Sequence, residues 1–195
     1  LYIIGPLSAD IPPITLSSSS GDVVFYPLPY AEPATVRQVF ECEASSHEMA
    51  MDVLLEKVRQ HDSQGLPKVL ISHCFLDGGS ESESERPLSI GGADKISPKL
   101  FTEFDYVALG HLHGPQYKGA EHVRYSGSIL KYSFSEQHQH KSVTLVELSA
   151  QTPLNICLLP LTSMRDVRIL EGELEILLAQ GKMDIKREDY LMVRL

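Results

Sequence analysis

The segment HEMAMDVLLEKVRQH, residues 47–61, places apolar side chains at Met51, Leu54, Leu55 and Val58. That i, i+3, i+4, i+7 spacing predicts an amphipathic helix, with Ser45 or Ser46 standing where an N-cap is wanted. GLP ends the pattern, and KVLISH reads as a buried strand finishing at His73. FDYVALGH reads as a second such strand, finishing at His111. Upstream, LYIIG, PPITL and DVVFYPLPY are strand-like. Serines 17–20 with Gly21 supply a hairpin turn between the last two, and Pro27 and Pro29 end the strand. Residues 31–46 read as loop. SPKLF predicts a short helix capped by Ser97, with Pro98 in its first position. HVRYSGS, KSVTLVELS and NICLLPL then form a strand-like run with turns between them. After Met164 the pattern changes to strand (RDVRILEG), short helix (ELEILLAQG, closed by Gly181) and strand (DYLMVRL).

The order predicts an α/β protein in which two packed sheets are flanked by helices. Residues 47–110 build one sheet and the run over 120–162 a second. The change after Met164 divides the chain into 1–162 and 163–195. The shorter unit is too small to bury a core alone, and is expected to lean on the main domain, pair with another copy of the chain or draw on residues that follow Leu195. Residues 77–95, DGGSESESERPLSIGGADK, carry no apolar period and predict a long, loosely held surface loop.

Composition narrows the function classes. The net charge of −9 argues against binding nucleic acid through a broad basic surface. It leaves room for a nuclease whose metals supply local positive charge. Cys42, Cys74 and Cys157 are scattered, odd in number and free of any CxxC, which fits a reducing cytoplasm rather than a disulfide framework. No apolar run reaches membrane-spanning length, and the first residues carry no signal-peptide pattern.

Histidines carry the chemistry. Two apolar strands end in His73 and His111, and ligands of open α/β sheets bind beyond the carboxyl ends of strands. His111 and His113 are two apart and share a face if extended, and Gly110 allows close backbone approach. Neutral imidazole is the commonest nitrogen ligand for zinc, manganese and iron. His122, His138 and His140 lie in polar segments and read as exposed. Among carboxylates, Asp77 lies near His73, Asp105 opens a strand at the opposite end, and the ESESE glutamates read as a solvated loop.

GHLH after an apolar strand, with SH ending an upstream one, resembles the last two motifs of the calcineurin-like metallophosphoesterases. SERPLSIGGADKISPKLFTEFDYVALGHLHGPQ, VRYSGSILKYSFSE and KSVTLVEL resemble more narrowly the SbcD-type nucleases, bacterial counterparts of the Mre nucleases. DVVFYPLPYAEP fits the middle of that family, and RILEGELEILLAQG with DYLMVRL the start of its capping domain. The family's D-x-H, GD-x-x-D and GNHD motifs are absent, so the resemblance implies a metallophosphoesterase sandwich without its N-terminal third, at 1–162. The start of a capping domain then occupies 163–195.

The resemblance assigns His73 and His111 to one metal and His113 to the other, with Mn(II) expected and Mg(II) a weaker substitute. It places Ser126, Gly127, Ser128, Tyr132, Ser133 and Phe134 beside the site and near DNA phosphates, where plain hairpin structure is an equal reading. It leaves the catalytic acid–base group unassigned. The implied activity is two-metal phosphodiester hydrolysis at DNA ends, by exonuclease and endonuclease steps, with an SbcC-type coiled-coil ATPase as partner and a homodimer as assembly. This chain by itself is then expected to be inactive. The alternatives are a phosphoesterase acting on small phosphoesters and a non-catalytic scaffold.

Overall fold

The computed structural model of the chain describes residues 1–86, 88 and 94–195. Its elements, in chain order, begin with β1 (Ile14–Ser18), β2 (Gly21–Pro27), α1 (Pro33–Phe40), α2 (His47–Arg59), β3 (Lys68–His73) and β4 (Phe75–Leu76). They continue with β5 (Lys95–Ile96), β6 (Tyr106–Gly110), β7 (Gln116–Lys118), β8 (Ala120–Tyr125), β9 (Ser142–Ser149) and β10 (Thr152–Pro160). β11 (Val167–Glu171), α3 (Leu174–Gly181) and β12 (Tyr190–Arg194) complete the chain. Two 3-10 turns, Pro98–Phe101 and Phe134–Glu136, lie between them.

The central sheet has six strands in the order β1-β2-β3-β6-β8-β7. β2, β3, β6 and β8 run parallel, and both edge pairings are antiparallel. Strand alternation sends Val24, Tyr26, Leu70, Val107, Leu109, Val123 and Tyr125 into a common core. α2 meets them with Met51, Leu54, Leu55 and Val58, the residues its periodicity singled out. Each fully buried aliphatic side chain there contributes roughly 1.5–3 kcal/mol. The Ser46 hydroxyl accepts from the Met49 N–H and caps α2, and Ser97 does the same for Lys99 ahead of Pro98. The opposite face of the sheet carries Val23, Phe25, Val69, Ile71, Tyr106 and Ala108. Val146 and Leu148 of β9 stand across from it over a cleft of about 310 Å³.

The molecule is α/β, as its pattern predicted, with four local differences. LYIIG forms no strand. Residues 31–46 contain α1, which opens on Pro33, a residue pre-shaped for a helix's first turn. β8 joins the first sheet parallel to β6, with Val107 opposite Val123, so only β9 and β10 form the separate antiparallel pair. Finally, part of the expected loose loop over 77–95 is held: Ser82, Ser84 and Glu85 bond to the core side. Gly79 and Ser80 are bonded too, to the Leu76 carbonyl and Gln116, while residues 87 and 89–93 lie outside the described residues.

β11 and β12 pair in parallel with each other and are joined through α3. Arg168 ties this unit internally, to Asp184 at 2.6 Å and Asp189 at 2.7 Å. Among the described residues, polar contacts tie it to the remainder through Lys131 to Asp166 at 2.9 Å and the Ile169 N–H donating to Gln137 Oε1 at 3.1 Å.

Candidate metal centre

β3 and β6 are adjacent and parallel, with His73 opposite Gly110. Their ends therefore coincide, and His111 follows at once. The imidazole centroids of His73 and His111 lie 5.5 Å apart, in an edge-to-face arrangement. Phe75 packs on His111 at 5.8 Å and Tyr30 on His73 at 6.1 Å. Gly110 is required here for space: a Cβ would stand 2.8 Å from His73 Nδ1. His111 has φ = +112°, which L-residues other than glycine rarely adopt and which costs on the order of 1–3 kcal/mol.

That dihedral corrects the reading of His111 and His113 as an extended pair sharing one face. The chain turns at His111, so its ring meets His73 and Phe75, whereas the His113 ring meets Tyr132 at 5.4 Å and Glu136. Burial lowers the pKa of His73 below its ordinary value. Burial does the same for His111, with the nearby His73 and His113 adding to it and Glu85 and Asp94 opposing. Both imidazoles are thus biased toward the neutral, ligating form. His111 Nε2 is buried and has no hydrogen-bond partner among the described residues. An orphaned, neutral imidazole nitrogen beside a second imidazole is a donor set that suits a borderline divalent ion. Among the described residues no group of three or more His, Cys, Asp or Glu side chains closes around one point. The residues present therefore fit part of a metal's coordination shell.

His113 is held on almost every polar atom. Its N–H donates to Glu85 Oε1 at 2.7 Å, and its carbonyl accepts from the Ser128 N–H at 3.0 Å and from Lys141 Nζ at 2.9 Å. Nδ1 lies 3.0 Å from Glu136 Oε1 and 2.9 Å from Ser84 Oγ. Glu136 is fully buried and paired with Lys141 at 2.7 Å. Burial alone would raise its pKa, but hydrogen bonds from Lys141, Ser84 and His113 outweigh this and hold it at about 2. Glu85, bonded by Ser82 and the His113 N–H against its own desolvation, also sits below the usual carboxylate range.

Of the residues expected near substrate, Gly127, Ser128 and Tyr132 contact this histidine. Gly127, at φ = +78°, lies against it so closely that a Cβ would be 2.6 Å from the His113 carbonyl oxygen. Ser128 accepts from Lys141 Nζ at 2.7 Å as well as donating its N–H to His113. Tyr132 covers the His113 ring and is itself largely exposed. Ser126 follows β8, Ser133 precedes the Phe134–Glu136 turn with its hydroxyl on Ser135, and Phe134 opens that turn.

Sequence reasoning missed Glu136, Lys141, Ser84 and Glu85. Composition predicts a solvated loop for the last two, but Glu85 is buried. Asp94, also missed, is buried and acts electrostatically on His111. Asp77 points to solvent near Lys95, and Asp105 accepts from the Lys68 N–H where β3 begins, so neither joins the histidines. His138 and His140 are exposed as expected, whereas His122 is half-buried with Nε2 unpartnered among the described residues.

No family model matches the chain. Curated relatives do. The SbcD component of the SbcCD nuclease of Staphylococcus epidermidis is 34% identical over 190 residues, covering 97% of this chain and 50% of the relative. That of Staphylococcus saprophyticus is 34% identical over an alignment of 197 residues, covering 100% of this chain and 51% of the relative. The chain thus spans about half the length of the curated relatives it matches. With that identity sustained from one end of the chain to the other, the chain is similar along its whole length to half of the SbcD component of SbcCD nucleases.

Proposed function

We propose that the chain carries the histidine half of a metal-dependent DNA nuclease centre that hydrolyses phosphodiesters at DNA ends in an SbcCD-type complex. The observation that carries this reading is the pair His73 and His111, biased neutral, with His111 Nε2 buried and unpartnered. His73 and His111 would hold one divalent ion, Mn(II) or less favourably Mg(II), and Nε2 of His113 would face a second. Such ions supply charge stabilisation for the phosphoryl oxygens and an activated water. The chain's own residues orient the ligands: Gly110 leaves room for His73, and Glu85, Ser128 and Lys141 fix the backbone of His113. Tyr132, exposed over the His113 ring, would meet a nucleotide, with Ser126, Gly127, Ser128, Ser133 and Phe134 proposed to contribute to the same substrate region.

A two-metal site needs bridging carboxylates that the described residues do not gather. The remaining donors come from elsewhere in the assembly, and the 195-residue chain alone is expected to bind metal without cleaving DNA. Residues 163–195 are proposed to begin a unit that positions DNA over the metals. The partners are an SbcC-type ATPase and a second copy of the nuclease chain.

Mn(II) titration followed by electron paramagnetic resonance tests the reading. Binding should be present in the chain and lost in His111→Ala. Absence of binding in the unaltered chain would overturn it. Cleavage of DNA ends against an aryl phosphate ester by the complete complex separates a nuclease from a small-molecule phosphoesterase.

A further inference from the structure

Two protons decide how His113 presents itself. Glu136 is ionised beside Lys141, whose ammonium lies 2.7 Å from Oε2, so both carboxylate oxygens accept and neither donates. Ser84 Oγ is also within hydrogen-bond reach of Glu136 Oε1, to which its hydroxyl can donate while its lone pairs accept elsewhere. Yet His113 Nδ1 lies 2.9 Å from Ser84 Oγ and 3.0 Å from Glu136 Oε1. Glu136 Oε1 can only accept, and the Ser84 hydroxyl can accept once its own hydrogen goes to Glu136, so this arrangement is satisfied with the proton on Nδ1. In the neutral ring Nε2 is then a bare lone pair, and no hydrogen bond engages it among the described residues.

We infer that Glu136, supported by Lys141 and Ser84, is the positioning residue for His113: it locks the Nδ1–H tautomer and aims Nε2 outward as a ligand. This deepens the metal reading and rests on it for its purpose, but not for its geometry. Carboxylates that accept the second ring N–H of a ligating histidine commonly strengthen metal binding about 10–100-fold. Lys141 serves twice, neutralising Glu136 and donating to the His113 carbonyl at 2.9 Å. Bond by bond, the buried pair holds one imidazole by its backbone and by its far nitrogen.

Long-range ¹H–¹⁵N correlation spectra of the full chain, labelled at histidine nitrogens and recorded in chelator above pH 7.5, read the tautomer directly. The unaltered protein should show His113 protonated at Nδ1 alone. Ser84→Ala should keep that tautomer, because Glu136 still accepts. Glu136→Ala should release the ring to a mixture in which Nε2–H is populated. If that variant does not fold, the double variant Glu136→Met with Lys141→Met replaces the buried pair by apolar side chains of similar length, often a near-neutral exchange. It should release the ring in the same way. An Nε2–H ring in the unaltered protein, or an unchanged Nδ1–H ring in the folded Glu136 variants, would overturn the inference. Mn(II) affinity measured on the same samples should fall about 10–100-fold without Glu136. If the unaltered chain binds no Mn(II) while its tautomer is as stated, the metal reading fails and the positioning role stands. If Mn(II) binds equally well without Glu136, the positioning role has no consequence for ligation and fails.

Discussion

Replacing Tyr125 with phenylalanine removes one oxygen from the centre of the molecule. That hydroxyl is buried, donates to the Cys74 carbonyl at 2.9 Å and accepts from the Leu76 N–H at 2.9 Å. It therefore bridges β8 to the segment immediately after His73. Phenylalanine has the same ring and opens no sizeable cavity, so the cost is almost wholly polar. Leu76 and Cys74 are buried too, and neither orphaned group reaches water. A buried N–H left unpaired costs about 1–3 kcal/mol, and the carbonyl costs less because it has a second lone pair. The sum is about 3 kcal/mol. For a chain of this length each kcal/mol lowers Tm by about 2–4 °C, which gives a drop of about 6–12 °C. Urea unfolding followed by circular dichroism should show a lower midpoint with an unchanged slope. Tyr132→Phe, at an exposed ring, is the control and should change nothing. A loss below about 1 kcal/mol in Tyr125→Phe would show that the two backbone groups find other partners, and that the bridge does not hold the His73 segment.

Three further outcomes are expected. Gly110→Ala should expel the His73 ring, since its Cβ would lie 2.8 Å from Nδ1. Mn(II) binding should be lost with folding retained, and binding equal to the parent would refute the placement. In chelator, stability should begin to fall as pH drops below about 6.5, because unfolding frees His73 and His111 to take up protons that burial resists. A second loss should run from about 4.5 down towards 2, as the contribution of Glu136, complete above its unfolded pKa, is titrated away. A flat urea midpoint between pH 7.5 and 4 would contradict this. Maleimide should label exposed Cys157 first and leave Cys74 until unfolding, since Cys74 is buried and burial raises its thiol pKa to about 12. Early labelling at Cys74 would refute its placement.

Periodic elements were legible and unperiodic ones were not. α2 announced itself because four apolar residues share one helical face, and β3 and β6 because short apolar runs end at histidines. α1 is eight residues long with one buried side chain, Val36, so its apolar face is too narrow to read. The place of β8 in the first sheet depends on which strand it meets at Val107, a choice that local composition does not encode. At the site, the strand-end histidines were visible, whereas Glu136 and Lys141 belong to no repeating element between them. Charged residues five apart look like solvated surface until the fold buries both. Ser84 and Glu85 were hidden for the same reason, inside a stretch whose composition belongs to exposed loops.

The short turn Phe134–Glu136 joins these levels. Its last residue, Glu136, holds His113, and the next residue, Gln137, accepts from the Ile169 N–H of β11. The Gln137 carbonyl also accepts from Lys131 Nζ, which pairs with Asp166 where the C-terminal unit begins. Consecutive side chains thus face in different directions, one to the candidate metal centre and one to the β11–α3–β12 unit. The turn is short, so the contacts with Ile169 and Asp166 lie within one residue of the carboxylate that bonds His113. The cores on either side are close-packed and resist small deformation. Among the described residues, hydrogen bonds of Glu136 and Gln137 thus place His113 and the C-terminal unit on neighbouring positions of one turn, whereas His73 is held in the sheet opposite Gly110 and His111 follows directly after it.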